Sequence, residues 1–158
     1  MFKINNIGLT IFIVLFAFMP FLMATTVTHN ETGLKFEIPD DWSYEQEDNH
    51  FLAMSPDESV ILYFYVGKFE DVSDLMDNIA DQLDGIIESP EIEGEPIEEK
   101  INDLTQVYIE GSGYIKGKTI DFDLTIVIGG AKPMLIIALG DIESMQETIL
   151  DIYASVQK

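Results

Sequence analysis

The sequence contains no cysteine and no arginine, and its 158 residues include only two histidines and one tryptophan. Without cysteine the chain cannot form disulfides, thiolate metal sites or a cysteine nucleophile, so its fold must depend on a hydrophobic core. Basic residues are also scarce, because eight lysines stand against 29 aspartates and glutamates, for a formal net charge of −21 at pH 7. Phosphate backbones are bound by clustered basic side chains, so we expect no nucleic-acid partner.

The excess of negative charge predicts the kind of partner that the protein attracts. An acidic surface repels anionic lipid headgroups, and it speeds encounters with cations, cationic peptides and basic protein surfaces. We therefore expect a cationic protein, either soluble or part of a membrane protein, as the partner. Two other interpretations stay open: the charge only keeps the protein soluble, or it reflects adaptation to high salt.

Residues 1–24 have the layout of a secretory signal peptide. A single lysine precedes a long apolar run, Pro20 interrupts that run, and Ala24 offers a small residue for cleavage. The competing interpretation is an uncleaved membrane anchor, since Ile7–Met23 is at the short limit of a membrane span. Either way we expect residues 25–158 to form one domain outside the cytoplasm, periplasmic or secreted, that contacts a membrane only if the N-terminal segment is retained.

Hydrophobic periodicity over the rest of the chain predicts an α+β domain, with two amphipathic helices packed on a largely antiparallel β-sheet. Strands joined by short glycine turns pair antiparallel, and apolar stripes at helical spacing mark the helices. The acidic segment Glu91–Glu99 is broken by Gly94 and Pro96 and is typical of either a loop or a weak edge strand. The predicted strands are Gly33–Ile38, Ser43–Glu47, Phe51–Ser55, Ser59–Val66, Leu104–Ile115, Ile120–Ile128 and Pro133–Leu139, and the predicted helices are Asp71–Glu88 and Ile142–Val156.

The string Gly33-Leu-Lys-Phe-Glu-Ile-Pro-Asp-Asp-Trp42 is a strand that runs into a Pro-x-x-Trp turn. A hairpin over Phe51–Val66, a helix over Leu75–Ile87, a long β-meander and a closing helix follow it. This layout resembles the PsbP-like superfamily, which includes the extrinsic photosystem II protein PsbP, the Ran-binding Mog-type proteins and many bacterial domains. The resemblance implies an α/β/α sandwich that acts as an accessory or binding module and seldom as an enzyme. It carries over no site residues.

The string Gly111-Ser-Gly-Tyr-Ile-Lys-Gly-Lys-Thr119 looks like a phosphate-binding loop but has the wrong spacing. That motif needs four residues between its first glycine and Gly-Lys-Thr, whereas Gly111 leaves five and Gly113 leaves three. A phosphate-binding loop also opens a helix, and the alternation over Ile120–Ile128 is that of a strand. We therefore predict a β-hairpin that turns at Gly117-Lys118.

Carboxylates are abundant, and Ca²⁺ prefers oxygen ligands. Asp121 and Asp123 share one face of a predicted strand, and Asp40 and Asp41 adjoin in a predicted turn. These four are the candidate metal ligands, but none has EF-hand spacing, so we expect no resident cofactor and at most weak Ca²⁺ binding. A further set shares one face of the first predicted helix: Asp74, Asp77, Asp81, Asp84 and Glu88.

No catalytic residue can be assigned from the sequence. His29 and His50 have no partner histidine at metal spacing, and no serine lies in a Gly-x-Ser-x-Gly elbow. His29 follows the predicted cleavage site closely, where chains tend to be loosely ordered.

Three functional hypotheses follow. The leading one is an exported non-enzymatic accessory or protein-interaction module with a strongly acidic surface. The alternative is an extracytoplasmic protein that binds a small ligand or Ca²⁺ in a pocket between sheet and helix. The third is a hydrolase, which would need a buried acid with a perturbed pKa near His50 or Asp121.

Overall fold

The computed structural model describes residues 23–47, 50–69, 71–83 and 85–158. The predicted signal peptide therefore lies outside the described residues, apart from Met23 and Ala24. No helix in the described ranges is long and apolar enough to span a membrane. In chain order the elements are β1 (Ala24–Thr28), β2 (Lys35–Pro39), β3 (Ser43–Gln46), β4 (His50–Met54), β5 (Val60–Val66), α1 (Val72–Asp77), α2 (Ile79–Gln82), β6 (Glu88–Ile101), β7 (Leu104–Ile115), β8 (Lys118–Ile128), β9 (Met134–Gly140), the 3₁₀ turn Glu143–Met145 and α3 (Gln146–Ser155).

The strands form a two-stranded sheet of β1 and β2 and a seven-stranded sheet in the order β3-β4-β5-β9-β8-β7-β6. Every neighbouring pair is antiparallel, as the short glycine turns predict. The β7–β8 hairpin turns at Lys116 and Gly117, whose φ angles are 51° and 75°. Two successive positive φ angles are the geometry of a tight hairpin turn, so the interpretation of this string as a hairpin is confirmed, with the turn one residue earlier than predicted.

The seven-stranded sheet buries apolar side chains on both faces, because successive residues of a strand point to opposite sides. On β5, Leu62 and Phe64 join a core with the β1–β2 hairpin and α3. Tyr63 and Tyr65 lie on the other face, in a second core with residues of α1 and the turn after α2. The predicted α+β class, with helices packed on an antiparallel sheet, is therefore confirmed.

The first predicted helix, Asp71–Glu88, is shorter than its apolar stripe suggests and is interrupted. The Asp71 carboxylate accepts a hydrogen bond from the Asp74 backbone N–H at 2.9 Å and caps α1. At Asn78 the side-chain amide donates to the Asp74 carbonyl oxygen at 2.8 Å, and a separate short helix follows. Asn side chains compete in this way with helical backbone hydrogen bonds. Because α2 ends at Gln82 and Glu88 lies in a strand, the acidic face predicted along one helix is not continuous.

The segment Glu91–Glu99 lies within β6, so the edge-strand alternative is correct and the loop alternative is wrong. Among the described strands β6 pairs only with β7, and its register shifts after Glu88 and again after Glu93. These irregularities accommodate Pro90 and Pro96, since a proline lacks the N–H that an interior strand donates.

Candidate functional site

The outer edge of the seven-stranded sheet carries the densest negative charge among the described strands. Because β6 is the last strand of the sheet, one side of its backbone has no strand partner within the described chain. We call its exposed glutamates the acidic edge: Glu88, Glu91, Glu93, Glu95, Glu98 and Glu99. Ile97 lies among them with 62% of its surface exposed.

The acidic edge has little local compensation. Lys100 is the one basic residue of β6, and its Nζ donates to Thr105 Oγ1 at 3.1 Å. The ion pairs found among the described residues lie elsewhere, between Lys132 and Glu31 and between His50 and Glu47. The edge therefore presents carboxylates, unpaired backbone groups and one apolar side chain together, an arrangement suited to a cationic extended segment.

A cleft of about 500 Å³ lies where β5 meets α2 and the turn before β9. Gln82 ties its walls together, because its side-chain amide accepts from the Lys68 backbone N–H (3.0 Å) and donates to the Lys68 carbonyl oxygen (2.9 Å). The Tyr65 hydroxyl donates to the Gln82 carbonyl oxygen at 2.9 Å, and burial raises the Tyr65 pKa. Lys132 forms a hydrogen bond with Glu31 across the mouth, which lowers the pKa of that carboxyl. The lysine is therefore already paired, and the cleft walls are held by internal hydrogen bonds.

The two histidines occupy different environments. His29 is 1% exposed, and its Nδ1 accepts from the Thr32 backbone N–H at 3.4 Å. The expectation that His29 lies in loosely ordered chain is therefore wrong, because the preceding residues pair with β2. His50 borders the cleft described above and lies 3.6 Å from a Glu47 carboxylate oxygen.

The four candidate metal ligands fall at separate places in the fold. Asp40 and Asp41 lie in the exposed turn after β2, and the Thr25 hydroxyl donates to the Asp40 carboxylate at 2.7 Å. On β8, Asp121 is exposed, whereas Asp123 is half-buried. Across the described ranges no group of three or more His, Asp or Glu side chains is arranged to hold a metal ion.

Asp123 differs from the other candidates in its electrostatic surroundings. Burial and the charge of Glu110 raise the pKa of its carboxyl. Glu110 lies directly opposite Asp123 in the β7–β8 register. Asp123 is thus a perturbed acid two residues from Asp121, where the hydrolase hypothesis requires one. The described residues around it include Glu110 and Thr125 but no histidine, serine or cysteine.

Sequence reasoning identified Asp123 but not Glu110 or Thr125, its neighbours across and along the sheet. The alternating pattern of each strand shows which residues share a face. It does not show which residues of two strands face each other, since that depends on the hairpin register.

No protein-family model and no curated protein matches the sequence. Solved structures do match. The cyanobacterial PsbP (CyanoP) of Synechocystis sp. PCC 6803 is similar with a TM-score of 0.59 and 8% identity, over 98% of this chain and 96% of that one. LpqN, described as involved in cell envelope biogenesis of Mycobacterium tuberculosis, has a TM-score of 0.51 and 15% identity, over 85% and 90% of the two chains. A protein of Bacteroides thetaiotaomicron has a TM-score of 0.50 and 16% identity, over 78% of this chain and 44% of that one.

These similarities establish a PsbP-like fold, and the resemblance inferred from the Pro-x-x-Trp turn and the order of elements is confirmed. In the structure this turn is closed by a hydrogen bond from the Trp42 backbone N–H to the Pro39 carbonyl oxygen at 3.0 Å. Trp42 itself is 5% exposed and belongs to the core. At such low identities the similarity concerns the fold, and one fold serves many functions.

Proposed function

We propose that this protein is an exported, non-enzymatic accessory module that binds a cationic partner protein through the acidic edge. Export is supported by the apolar N-terminal segment, which has the layout of a signal peptide. Two structural neighbours, PsbP and a protein involved in cell envelope biogenesis, make an accessory role reasonable for this fold. Neither similarity identifies the partner, which we infer from the surface of this chain.

The observation that carries the proposal is the exposed β6 strand. An unpaired strand edge offers main-chain hydrogen bonds to an extended segment, and the six glutamates select for positive charge in that segment. Complementary charge raises the association rate and excludes acidic competitors. The bulges at Pro90 and Pro96 leave short stretches of regular edge, so we expect a short basic segment and not a long added strand.

Binding of a short lysine-rich peptide to the full-length protein tests this proposal. The edge variant combines Glu91→Gln, Glu93→Gln and Glu95→Gln, and a matched control removes the same charge from exposed positions near α3 with Glu143→Gln, Glu147→Gln and Asp151→Asn. Fluorescence polarisation should show affinity reduced roughly tenfold in the edge variant, since three exposed charge contacts contribute about 0.5 kcal/mol each. The control should change affinity less than about twofold, and raised salt should weaken binding to the wild type.

Two results would contradict the proposal. Equal losses in both variants would show that the peptide responds to total charge and not to the acidic edge. Unchanged peptide affinity with increased aggregation of the edge variant would assign the glutamates to protection of an exposed strand edge.

A further inference from the structure

A small cavity lies on the other side of the β7–β8 hairpin from α1 and α2, beneath α3. Its volume is about 120 Å³. Two neighbouring cross-strand pairs form its floor, Tyr108 opposite Thr125 and Glu110 opposite Asp123. Tyr153 of α3 lines it from above. The cavity adjoins the acidic edge, because Glu93 of β6 lies directly opposite Glu110 on β7.

Two hydroxyl groups in the cavity wall lack hydrogen-bond partners. Thr125 is 1% exposed and Tyr153 is 2% exposed, and neither Thr125 Oγ1 nor the Tyr153 hydroxyl makes a hydrogen bond within the described structure. Burial raises the Tyr153 pKa and the charge of Asp123 adds to the rise, whereas the Thr125 hydroxyl, which lies close to the Tyr153 hydroxyl, opposes it. Buried polar groups are nearly always paired. A hydrogen bond between these two hydroxyls would still leave the O–H of the accepting group and the remaining lone pairs unsatisfied, so the pair has hydrogen-bonding capacity left for an occupant.

The two carboxylates beside the cavity also lack a positive partner. Glu110 and Asp123 are like charges at directly opposed positions, an arrangement that destabilises a sheet. Neither carboxylate has a hydrogen-bond or ion-pair partner among the described residues, and the lining contains no lysine or histidine. A bound cation would relieve the repulsion and give Asp123 a partner.

Two further features favour an organic cation over a metal ion. The Tyr108 and Tyr153 rings lie 6.3 Å apart at 36°, and aromatic faces attract ammonium groups. Ile149 adds apolar wall. The volume is equivalent to roughly four water-sized groups, enough for an ammonium group with a short carbon chain. The described residues also offer no set of three ligands for a metal.

We propose that this cavity binds a small organic ammonium group, which donates hydrogen bonds to the Asp123 carboxylate and to the Thr125 and Tyr153 hydroxyl oxygens. The ammonium belongs either to a free small amine or to a lysine side chain of a polypeptide. Asp123 lies on β8 and not on the edge strand β6, so its variants test this site separately from docking at the acidic edge.

The test is an NMR titration of the full-length ¹⁵N-labelled protein at constant ionic strength. Ethanolamine is the free-amine probe, N-acetyl-lysine methylamide is the side-chain probe, and ethylene glycol is the neutral isostere of ethanolamine. We expect saturable shifts at the amides of Tyr153 and Thr125 with one or both amines, and none with ethylene glycol or sodium chloride. Binding by the lysine derivative alone assigns the site to a polypeptide side chain, and binding by ethanolamine alone assigns it to a free amine.

Variants separate this site from general acidity. Asp123→Asn should weaken amine binding at least about tenfold, since it removes a charge-assisted hydrogen bond. The same variant should raise the melting temperature of the free protein, because it removes the repulsion from Glu110. Asp121→Asn, two residues away on the same strand face but exposed, is the matched control and should leave both quantities unchanged. Glu110→Gln provides a second variant that relieves the same repulsion.

Three outcomes would overturn the proposal. Equal shifts with ethylene glycol would show that the cavity takes any small polar molecule. If Asp121→Asn and Asp123→Asn weakened amine binding equally, the binding would be due to general surface charge and not to this cavity. No saturable shift with either amine would mean that the cavity holds only water.

Discussion

Phe36 of β2 stacks on Phe64 of β5, with ring centroids 4.3 Å apart and an interplanar angle of 9°. Both rings are fully buried, and Phe51 packs its edge against each of them. This stack joins the two-stranded sheet to the centre of the seven-stranded sheet. In a chain without disulfides, it is a principal attachment of the N-terminal hairpin to the rest of the core.

Phe36→Ala should therefore lower the free energy of unfolding by about 3–5 kcal/mol, the usual cost of deleting a buried aromatic ring. Urea denaturation followed by tryptophan fluorescence measures the change, since Trp42 lies in the same core. Ile97→Ala is the control, because Ile97 is 62% exposed and its loss should cost about 1 kcal/mol or less. Similar values for the two variants would contradict a structural role for the stack.

Most elements of this fold follow from the periodicity of the sequence, and the exceptions have specific causes. The apolar stripe from Leu75 to Ile87 predicts one helix, but Asn78 interrupts it through its own side-chain hydrogen bond. Ile87 still reaches the core at 2% exposure, from the turn before β6. An apolar spacing can therefore persist where the helix does not.

Other features depend on pairing between distant segments. β1 was not predicted, because its four polar or small residues around Val27 show no clear alternation of a buried strand. β1 is a strand because it pairs with β2. In the same way Asp123 was identified from its own strand, whereas the opposition of Glu110 is visible only once the hairpin register is known.

Gly140 at the end of β9 should not tolerate a side chain. Its φ is 109°, and a Cβ there would lie 2.0 Å from the Ser59 carbonyl oxygen. Gly140→Ala should lower the free energy of unfolding by about 2–5 kcal/mol, from backbone strain and overpacking together. Gly117→Ala is the matched control, because Gly117 also has positive φ (75°) but has no atom within 4 Å of its Cβ position. It should cost about 1 kcal/mol, and equal costs in denaturant titrations would show that the Ser59 contact is unimportant.

Cleavage after Ala24 is expected when the protein is exported. The exported product should then begin at Thr25, whose hydroxyl donates to the Asp40 carboxylate. Intact-mass spectrometry of the extracytoplasmic fraction measures this directly. Ala24→Phe should block cleavage, because signal peptidases require a small residue there, and Ala24 is exposed, so the fold should tolerate the change. A full-length mass in the wild type would instead support the retained membrane anchor.

Salt should stabilise the protein through its net charge. A formal charge of −21 opposes compaction, and screening that repulsion should raise the melting temperature as sodium chloride increases from about 0.01 to 0.1 M. At matched ionic strength Ca²⁺ and Mg²⁺ should act alike if the carboxylates bind cations only diffusely. A saturable stabilisation by Ca²⁺ alone would contradict this prediction. It would instead support carboxylate ligands for Ca²⁺, for which the candidates are Asp40, Asp41, Asp121 and Asp123.

His29 should make the fold sensitive to mild acid. Burial lowers the pKa of His29 below its ordinary value of about 6.5, and the charge of His50 adds to the lowering. The charge of Glu31 and a hydrogen bond with the Phe64 backbone act in the opposite direction but are outweighed. Protonation would also place a hydrogen on Nδ1, which accepts from Thr32.

The sign of the effect follows from linkage. The unfolded chain takes up a proton near pH 6.5, whereas the folded protein resists it to lower pH. The stability that neutral His29 provides is therefore complete above about pH 6.5 and is lost as the pH falls toward the folded pKa, by up to about 1.4 kcal/mol per pH unit. Urea titrations between pH 7.5 and 5.5 should show this decline in the wild type and in His50→Gln, but not in His29→Gln. An NMR titration of the His29 ring with a midpoint at or above pH 6.5 would contradict the prediction, because a ring that protonates as readily in the folded protein as in the unfolded chain contributes no loss of stability in acid.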